Sequence, residues 1–199
     1  MEQREQTQHM SGEQSMAIIQ QIIHDAKFKF STNGVEFLMW GWLVAIAAIV
    51  QYLLIQLDYP RSWLTWAVFM PMGMIVTIYR TLRRFKKQTY QLTVTNIFLS
   101  VILGFSISVL ILISMMHKIG PITGMGISLV FYGFMLFVCG NIIRFWPMIA
   151  GAIINWIAGF IVVMYLDIPN SLLALAIAAI LGYVVPGHLL RYSYNNKKA

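Results

Sequence analysis

Charge is what this sequence has least of. Asp, Glu, Lys and Arg together make up 11% of its 199 residues, and only seven of those are acidic, whereas a soluble domain carries about 25% charged residues. So few charges cannot clothe a water-exposed surface, which excludes an ordinary soluble globule. Cysteine is nearly absent: Cys139 stands alone, so no intrachain disulfide can form. The four histidines, His9, His24, His117 and His188, show no metal-ligand spacing. Zincin, nucleophile-elbow and phosphate-loop signatures are missing as well, so neither a cofactor, a metal nor an enzymatic activity is expected. The polar start MEQREQTQHM has no apolar core of the signal-peptide kind, so the first span must direct its own insertion.

What the chain has instead is apolar length. Uncharged runs extend over Phe37–Leu57, Ser62–Tyr79, Gln88–His117, Ile119–Ile143, Phe145–Leu166 and Ile168–Leu190, and each reaches the roughly 18 to 20 residues that span a hydrocarbon core. The expected fold is all-α: a polytopic membrane protein with six transmembrane helices arranged as three hairpins, each running from inside to outside and back. Outer connections of about five to eight residues leave no room for an extracellular domain. Residues 1–34 form a cytoplasmic tail and residues 35–199 the six-helix domain. His117 and His188 then lie on opposite sides of the membrane and cannot share a ligand.

The net charge of +7 is placed as topology requires rather than as nucleic-acid binding would. With the N-terminus inside, Arg4, Lys27, Lys29, Arg80, Arg83, Arg84, Lys86, Lys87, Arg144, Arg191, Lys197 and Lys198 all face the cytoplasm, and only Arg61 and Lys118 face outward. That asymmetry sets the orientation, with both termini inside. The cluster RTLRRFKK supplies Arg80, Arg83, Arg84, Lys86 and Lys87 as contacts for anionic lipid headgroups. Within the tail, Ser11 and Gln14 have capping-box spacing, and Met16, Ile19, Ile23, Ala26 and Phe30 recur at steps of three and four. This marks an amphipathic helix over residues 11–30, lying at the interface or against the bundle, and ended by the turn STNG. Residues 11–30 are also the candidate docking segment for a cytoplasmic protein partner.

Asn33 and Glu36 repeat the capping-box spacing at the start of the first span. Glu36 is therefore read as a helix cap, with a proton or cation site as the competing role. Two pairs of short motifs recur: LDYPRS with LDIPNS, and GNIIRF with GHLLRY. They place Pro60, Pro121 and Pro169 at the outer starts and Arg83, Arg144 and Arg191 at the inner ends of the even-numbered helices. Internal repetition and shared membrane constraint explain this equally well.

Small residues line one face of several helices: Asn96, Ser100, Gly104 and Ser108; Gly151, Asn155 and Gly159; Gly41 and Ala45; Ala174, Ala178 and Gly182. Such faces let helix backbones approach one another, and are expected to point into the bundle. Asn96, Asn155 and His188 are the candidate ligand-binding residues. The asparagines are read as interhelical hydrogen-bond glue or as solute contacts. His188, following Pro186 and Gly187, is expected to cap an interrupted helix.

The stretches LMWGWLVAIAAIVQYLL and LLALAIAAILGYVVPGHLLRYSYNNKK resemble a family of small six-helix integral membrane proteins, of unassigned function, from Bacteroidetes-type bacteria. The resemblance implies a location in the bacterial inner (cytoplasmic) membrane and carries over no catalytic residues. Two functions stay open. One is a non-enzymatic membrane interaction, scaffold or sensor-partner subunit, able to form a homo-oligomer. The other is a small-solute transporter, or the substrate-binding subunit of one.

Overall fold

The structure, a computed structural model, describes residues 12–85 and 92–195, with the backbone alone for most of residues 12–34 and for 81–82, 84–85, 92–100, 102–103 and 194–195. The described chain is helical throughout, apart from its short turns. In order come α1 (Gly12–Gln56), α2 (Leu64–Phe85), α3 (Leu92–Ile119), α4 (Pro121–Ile142), α5 (Trp146–Tyr165) and α6 (Ile168–Ala179). A π-helical turn (Ile180–Val184) then leads directly into α7 (Val185–Asn195). Among the described residues four segments are long and apolar enough to cross a membrane: Val35–Gln56, Pro121–Ile142, Trp146–Tyr165 and Ile168–Ser193. Among the residues whose side chains are described, Leu64–Arg80 of α2 and Gly104–Ile119 of α3 are shorter apolar stretches.

The largest departure from expectation is α1. The turn predicted at STNG does not form, and one helix of 45 residues runs through it. Ser, Thr, Asn and Gly are weak helix formers, each costing up to about 1 kcal/mol relative to Ala. None lacks the backbone N–H whose absence from proline breaks a helix, so strong helix on both sides propagates across. At about 1.5 Å per residue α1 is about 68 Å long, more than twice a hydrocarbon core of about 30 Å. Glu36 therefore lies in the interior of a helix, not in its first turn, and the capping role assigned to it is withdrawn.

The turns also separate motifs that match in sequence. Tyr59 N–H bonds Leu54 C=O at 2.9 Å and Asp58 N–H bonds Ile55 C=O at 3.0 Å, while Asp58 has φ 53°. Phe145 N–H bonds Gly140 C=O at 2.8 Å and Arg144 N–H bonds Asn141 C=O at 3.2 Å, with Arg144 at φ 51°. Both are Schellman endings, in which a left-handed residue lets the chain recover carbonyls orphaned at a helix C-terminus. LDYPRS thus ends α1, and α2 starts only at Leu64. In LDIPNS, by contrast, Asp167 caps α6, its side chain accepting from Asn170 N–H at 3.3 Å, with Pro169 in the first turn. GNIIRF likewise closes α4, whereas GHLLRY lies inside α7. The paired motifs therefore build different local structures. The expected outer connections also prove shorter in two places. Gly120, at φ 83°, alone separates α3 from α4, and Leu166 and Asp167 alone separate α5 from α6.

Two apolar clusters form the core. One gathers Val44, Ala48, Met125, Leu129, Val162, Leu172 and Leu175 from α1, α4, α5 and α6. The other gathers Phe37, Met135, Leu136, Cys139, Ile143, Met148 and Leu190 toward the opposite end. The helices α4 and α5 share the most extensive contact, α1 packs along α6, the π turn and α7, and α2 and α3 flank the assembly on α1 and α4 respectively.

Between α4 and α5 the backbones meet at glycine. A Cβ on Gly126 would come within 3.0 Å of the Gly159 carbonyl oxygen, and one on Gly159 within 2.9 Å of the Gly126 oxygen. Contact this close gives the seam its packing energy where lipid supplies no hydrophobic drive. The small face of α3 behaves differently: Gly104 is exposed, and a Cβ there would meet nothing within 4 Å. α3 meets the bundle through Phe105 against Tyr132 and Met116 against Gly124, while Ser108 is half-buried and the side chains of Asn96 and Ser100 lie outside the described residues.

Candidate functional site

Asn155 stands at the middle of α5 and is fully buried. Its Nδ2 donates to the Gly151 carbonyl one turn back, at 2.8 Å, while its Oδ1 has no partner among the described residues. The carboxamide lies against Gly182 of the π turn, where a Cβ would collide with Nδ2. Gly151 faces the same turn, and its own Cβ would sit 2.8 Å from the Gly182 carbonyl oxygen. In an α-helix that oxygen would accept from residue 186, but residue 186 is proline and has no N–H to give. The π turn widens the backbone where that hydrogen bond is lost; such turns recur at functional sites.

Beside this contact Tyr183 donates its hydroxyl to the Tyr132 carbonyl at 3.1 Å. Its ring packs edge-on to that of Tyr132, with centroids 6.1 Å apart, and at a tilt to that of Phe37, at 6.2 Å. A crevice too narrow for a water molecule lies next to it, lined by Phe37, Leu136, Met148, Gly182, Tyr183 and Pro186 among others.

Of the predicted site residues, Asn155 and His188 do not converge. His188 is exposed on α7, whereas Asn155 is buried, so the two do not line one enclosed pocket. His188 caps nothing: the helix predicted to break at Pro186 continues to Asn195, because the π turn absorbs the missing N–H. Asn96 belongs to α3, and its side chain lies outside the described residues.

A second polar constellation was legible only in part. Arg80 Nε lies 3.3 Å from Glu36 Oε1, and Glu36 Oε2 is buried with no hydrogen-bond partner among the described residues. Farther along the same pair of helices Trp40 Nε1 donates to Thr77 Oγ1 at 3.1 Å, and Trp66 Nε1 donates to Gln51 Oε1. These three pairs run in antiparallel register, so α2 is fastened to α1 by polar contacts along most of its length. Arg80 is thereby engaged within the protein. Arg83 is exposed and lies over the Tyr79 ring, 4.6 Å from its centroid. The side chain of Arg84, and Lys86 and Lys87 altogether, lie outside the described residues.

Sequence reasoning missed Gly126, Gly133 and Gly140, which are spaced by seven along α4 and all meet α5. That spacing is visible in the sequence and marks a helix seam. Trp156, whose Nε1 donates to the Val130 carbonyl at 3.2 Å across the seam, and the Tyr132–Tyr183 contact had no such signal. Among the described residues no three of His, Cys, Asp and Glu gather closely enough to hold a metal ion. Compared with protein-family models, with curated proteins and with solved structures, the chain matches none.

Proposed function

We infer that this is a non-enzymatic integral membrane protein of the bacterial inner membrane, crossing six times with both termini cytoplasmic, and acting as an interaction or scaffold subunit. The observation that carries this reading is the continuity of α1. Its residues Gly12–Gly34 extend the span Val35–Gln56 without a break, by about 34 Å at 1.5 Å per residue. A helix continued that far beyond its span offers a cytoplasmic partner a long docking segment, and residues 11–30 carry the apolar spacing such a partner needs. The closely packed core and the buried glycine seams support a scaffold that holds this element in place. Exposed Arg83, with Arg84, Lys86 and Lys87, then meets anionic headgroups, each basic side chain contributing about 1 kcal/mol. The resemblance of the first and last spans to small inner-membrane proteins supports the location.

For six crossings, the lengths of α2 and α3 suffice: 22 and 28 residues give about 33 and 42 Å. The positive-inside distribution supports the orientation. Deleting residues 1–30 should release a co-purifying cytoplasmic protein while the bundle still elutes as one folded species. Retention of every partner by the truncated protein would refute the reading.

A second reading, a small-solute carrier, is favoured by one observation: the buried Asn155 Oδ1 without a hydrogen-bond donor. It requires Asn155→Leu to abolish uptake with the fold intact. Loss of stability alone would make the residue glue.

A further inference from the structure

We propose that the notch between the protruding half of α1 and the cytoplasmic end of the bundle is a docking site for an acidic amphipathic helix of a partner protein, seated on an apolar stripe edged by Lys27, Lys29, Arg144 and Arg191. The proposal rests on the reading of α1 as a docking segment and names the chemistry of what docks there.

The phase of α1 sets the notch. Met16, Ile19, Ile23, Ala26 and Phe30 follow one another at steps of three and four, and Asn33 carries the series on to Phe37, Gly41, Val44 and Ala48. These steps average about 3.6 residues, one helical turn. In an unbroken helix the stripe beyond the span therefore stays in line with the face that is buried within it. Inside the span that face meets the last helix, where a Cβ on Gly41 would come within 2.8 Å of Tyr183 Cβ and 2.9 Å of Val184 Cγ2. The bundle stops short of the stripe. Arg80 pairs with Glu36, and α2 ends soon after, at Phe85; Leu190 shares a cluster with Phe37, and α7 ends soon after, at Asn195. Both helices run antiparallel to α1, so they end about 7 Å past Glu36, and residues 12–30 continue for about 28 Å beyond them. Met16 is accordingly 60% exposed.

Direction and charge decide what covers the stripe. A face in line with Phe37 and Gly41 looks across the end of the bundle, where no bilayer lies, so the membrane does not cover it. A second copy is excluded by the same geometry, because a parallel α1 laid on that face would carry its own span into the bundle. The rest of this chain does not suit it either. Residues 86–91 and 196–199 bring Lys86, Lys87, Lys197 and Lys198 and no acid, while residues 1–11 hold Glu2 and Glu5 but no apolar residue between Met1 and Met10. Around the stripe the charge is of one sign. By register Lys27 and Lys29 fall one on each side of it, and Glu13 and Asp25 on the far half of the helix. At its foot, Arg144 and Arg191 follow Ile143 and Leu190, buried members of the cluster that holds Phe37. Both arginines are exposed and have no acidic partner among the described residues. An apolar stripe between basic edges fits a helix with one apolar and one acidic face, and opposite charge speeds its encounter.

The test uses the full-length protein in nanodiscs of neutral phosphatidylcholine. The probe is a synthetic helical peptide of about 18 residues, matching the protruding segment at 1.5 Å per residue, with leucine on one face and glutamate on the other, and its binding is followed by fluorescence anisotropy. It should bind about tenfold more tightly than a version carrying lysine in place of glutamate, with a preference that shrinks as salt is raised. Arg144→Glu combined with Arg191→Glu should weaken binding by about tenfold, and Ile19→Asp combined with Ile23→Asp should abolish it, while Lys118→Glu at the outer end changes nothing. Position is read separately in a Cys139→Ser background, with a benzophenone attached at Ile23→Cys on the stripe or at Gln21→Cys on the opposite side. The peptide should crosslink from the first and not from the second. Equal binding of the two peptides, indifference to the charges at Arg144 and Arg191, equal crosslinking from both faces, or a crosslink from Ile23→Cys to lipid or to a second copy overturns the proposal. If deleting residues 1–30 still releases a cytoplasmic protein after such a result, the docking role of α1 stands and only the notch falls.

Discussion

Asp58 and Arg144 hold left-handed backbone without being glycine, a conformation that costs an ordinary residue about 1 kcal/mol. Their charges have opposite consequences at a helix C-terminus, where the dipole is negative. Asp58→Gly removes both the strain and an unfavourable charge, while Arg144→Gly relieves strain but discards a favourable one. Asp58→Gly is therefore expected to raise the melting temperature by about 2 to 4 °C, and Arg144→Gly by less. Thermal scans of the two variants giving the reverse order would show that the dipole plays no part. The glycines supply a second comparison. Gly133 lies under Trp156, where a Cβ would come within 2.5 Å of the indole Cδ1 and 2.9 Å of the Ala152 carbonyl oxygen; Gly104 meets nothing within 4 Å. Gly133→Val should cost about 1 to 3 kcal/mol through overpacking, and Gly104→Val close to nothing. Equal losses in a detergent-unfolding assay would mean that the face of α3 carrying Gly104 is occupied after all.

At the scale of elements, helices were the easiest feature to read, because an apolar run of twenty residues admits few alternatives in lipid. Their ends were harder. Pro121 and Pro169 start helices as their sequence suggests, yet Pro60 follows one, since Asp58 and Tyr59 close α1 before the proline can open α2. A local motif cannot tell these cases apart, because the competing hydrogen bonds reach back three to five residues. Glu36 illustrates the other limit: its partner Arg80 lies 44 positions away, and only the antiparallel packing of α1 on α2 brings them together. Removing the pair should reveal a coupling of about 1 kcal/mol in a double-mutant cycle of Glu36→Gln with Arg80→Gln; a coupling of zero would make the contact incidental. The continuity of α1 has a direct physical test. In a Cys139→Ser background, spin labels at Gln20→Cys and Ile46→Cys should be separated by about 39 Å along one straight helix, against roughly 28 Å for a right-angle bend at STNG.

For the whole molecule, the all-helical class with long apolar spans was legible in the sequence, because it follows from summed hydropathy. The members of the candidate site, Asn155, Gly151, Gly182 and Pro186, were each visible in the sequence, but not their meeting, since the π turn arises from how Pro186 is accommodated once α5 presses Gly151 against Gly182. Six crossings predict that single cysteines replacing Arg61 or Lys118 react with an impermeant thiol reagent from outside intact cells, and that cysteines replacing Arg83 or Arg191 do so only after the membrane is opened. Labelling of Arg61→Cys and Arg83→Cys from the same side would remove α2 from the membrane. The 45-residue helix α1 gives such a molecule mechanical reach. Being continuous with its span, the segment Gly12–Gly34 forms a lever arm: tilting the span by about 10° would sweep the tip sideways by about 6 Å over an arm of about 34 Å. Changes in bilayer thickness that re-tilt the first span would thus be read out, magnified, at the far end of that arm.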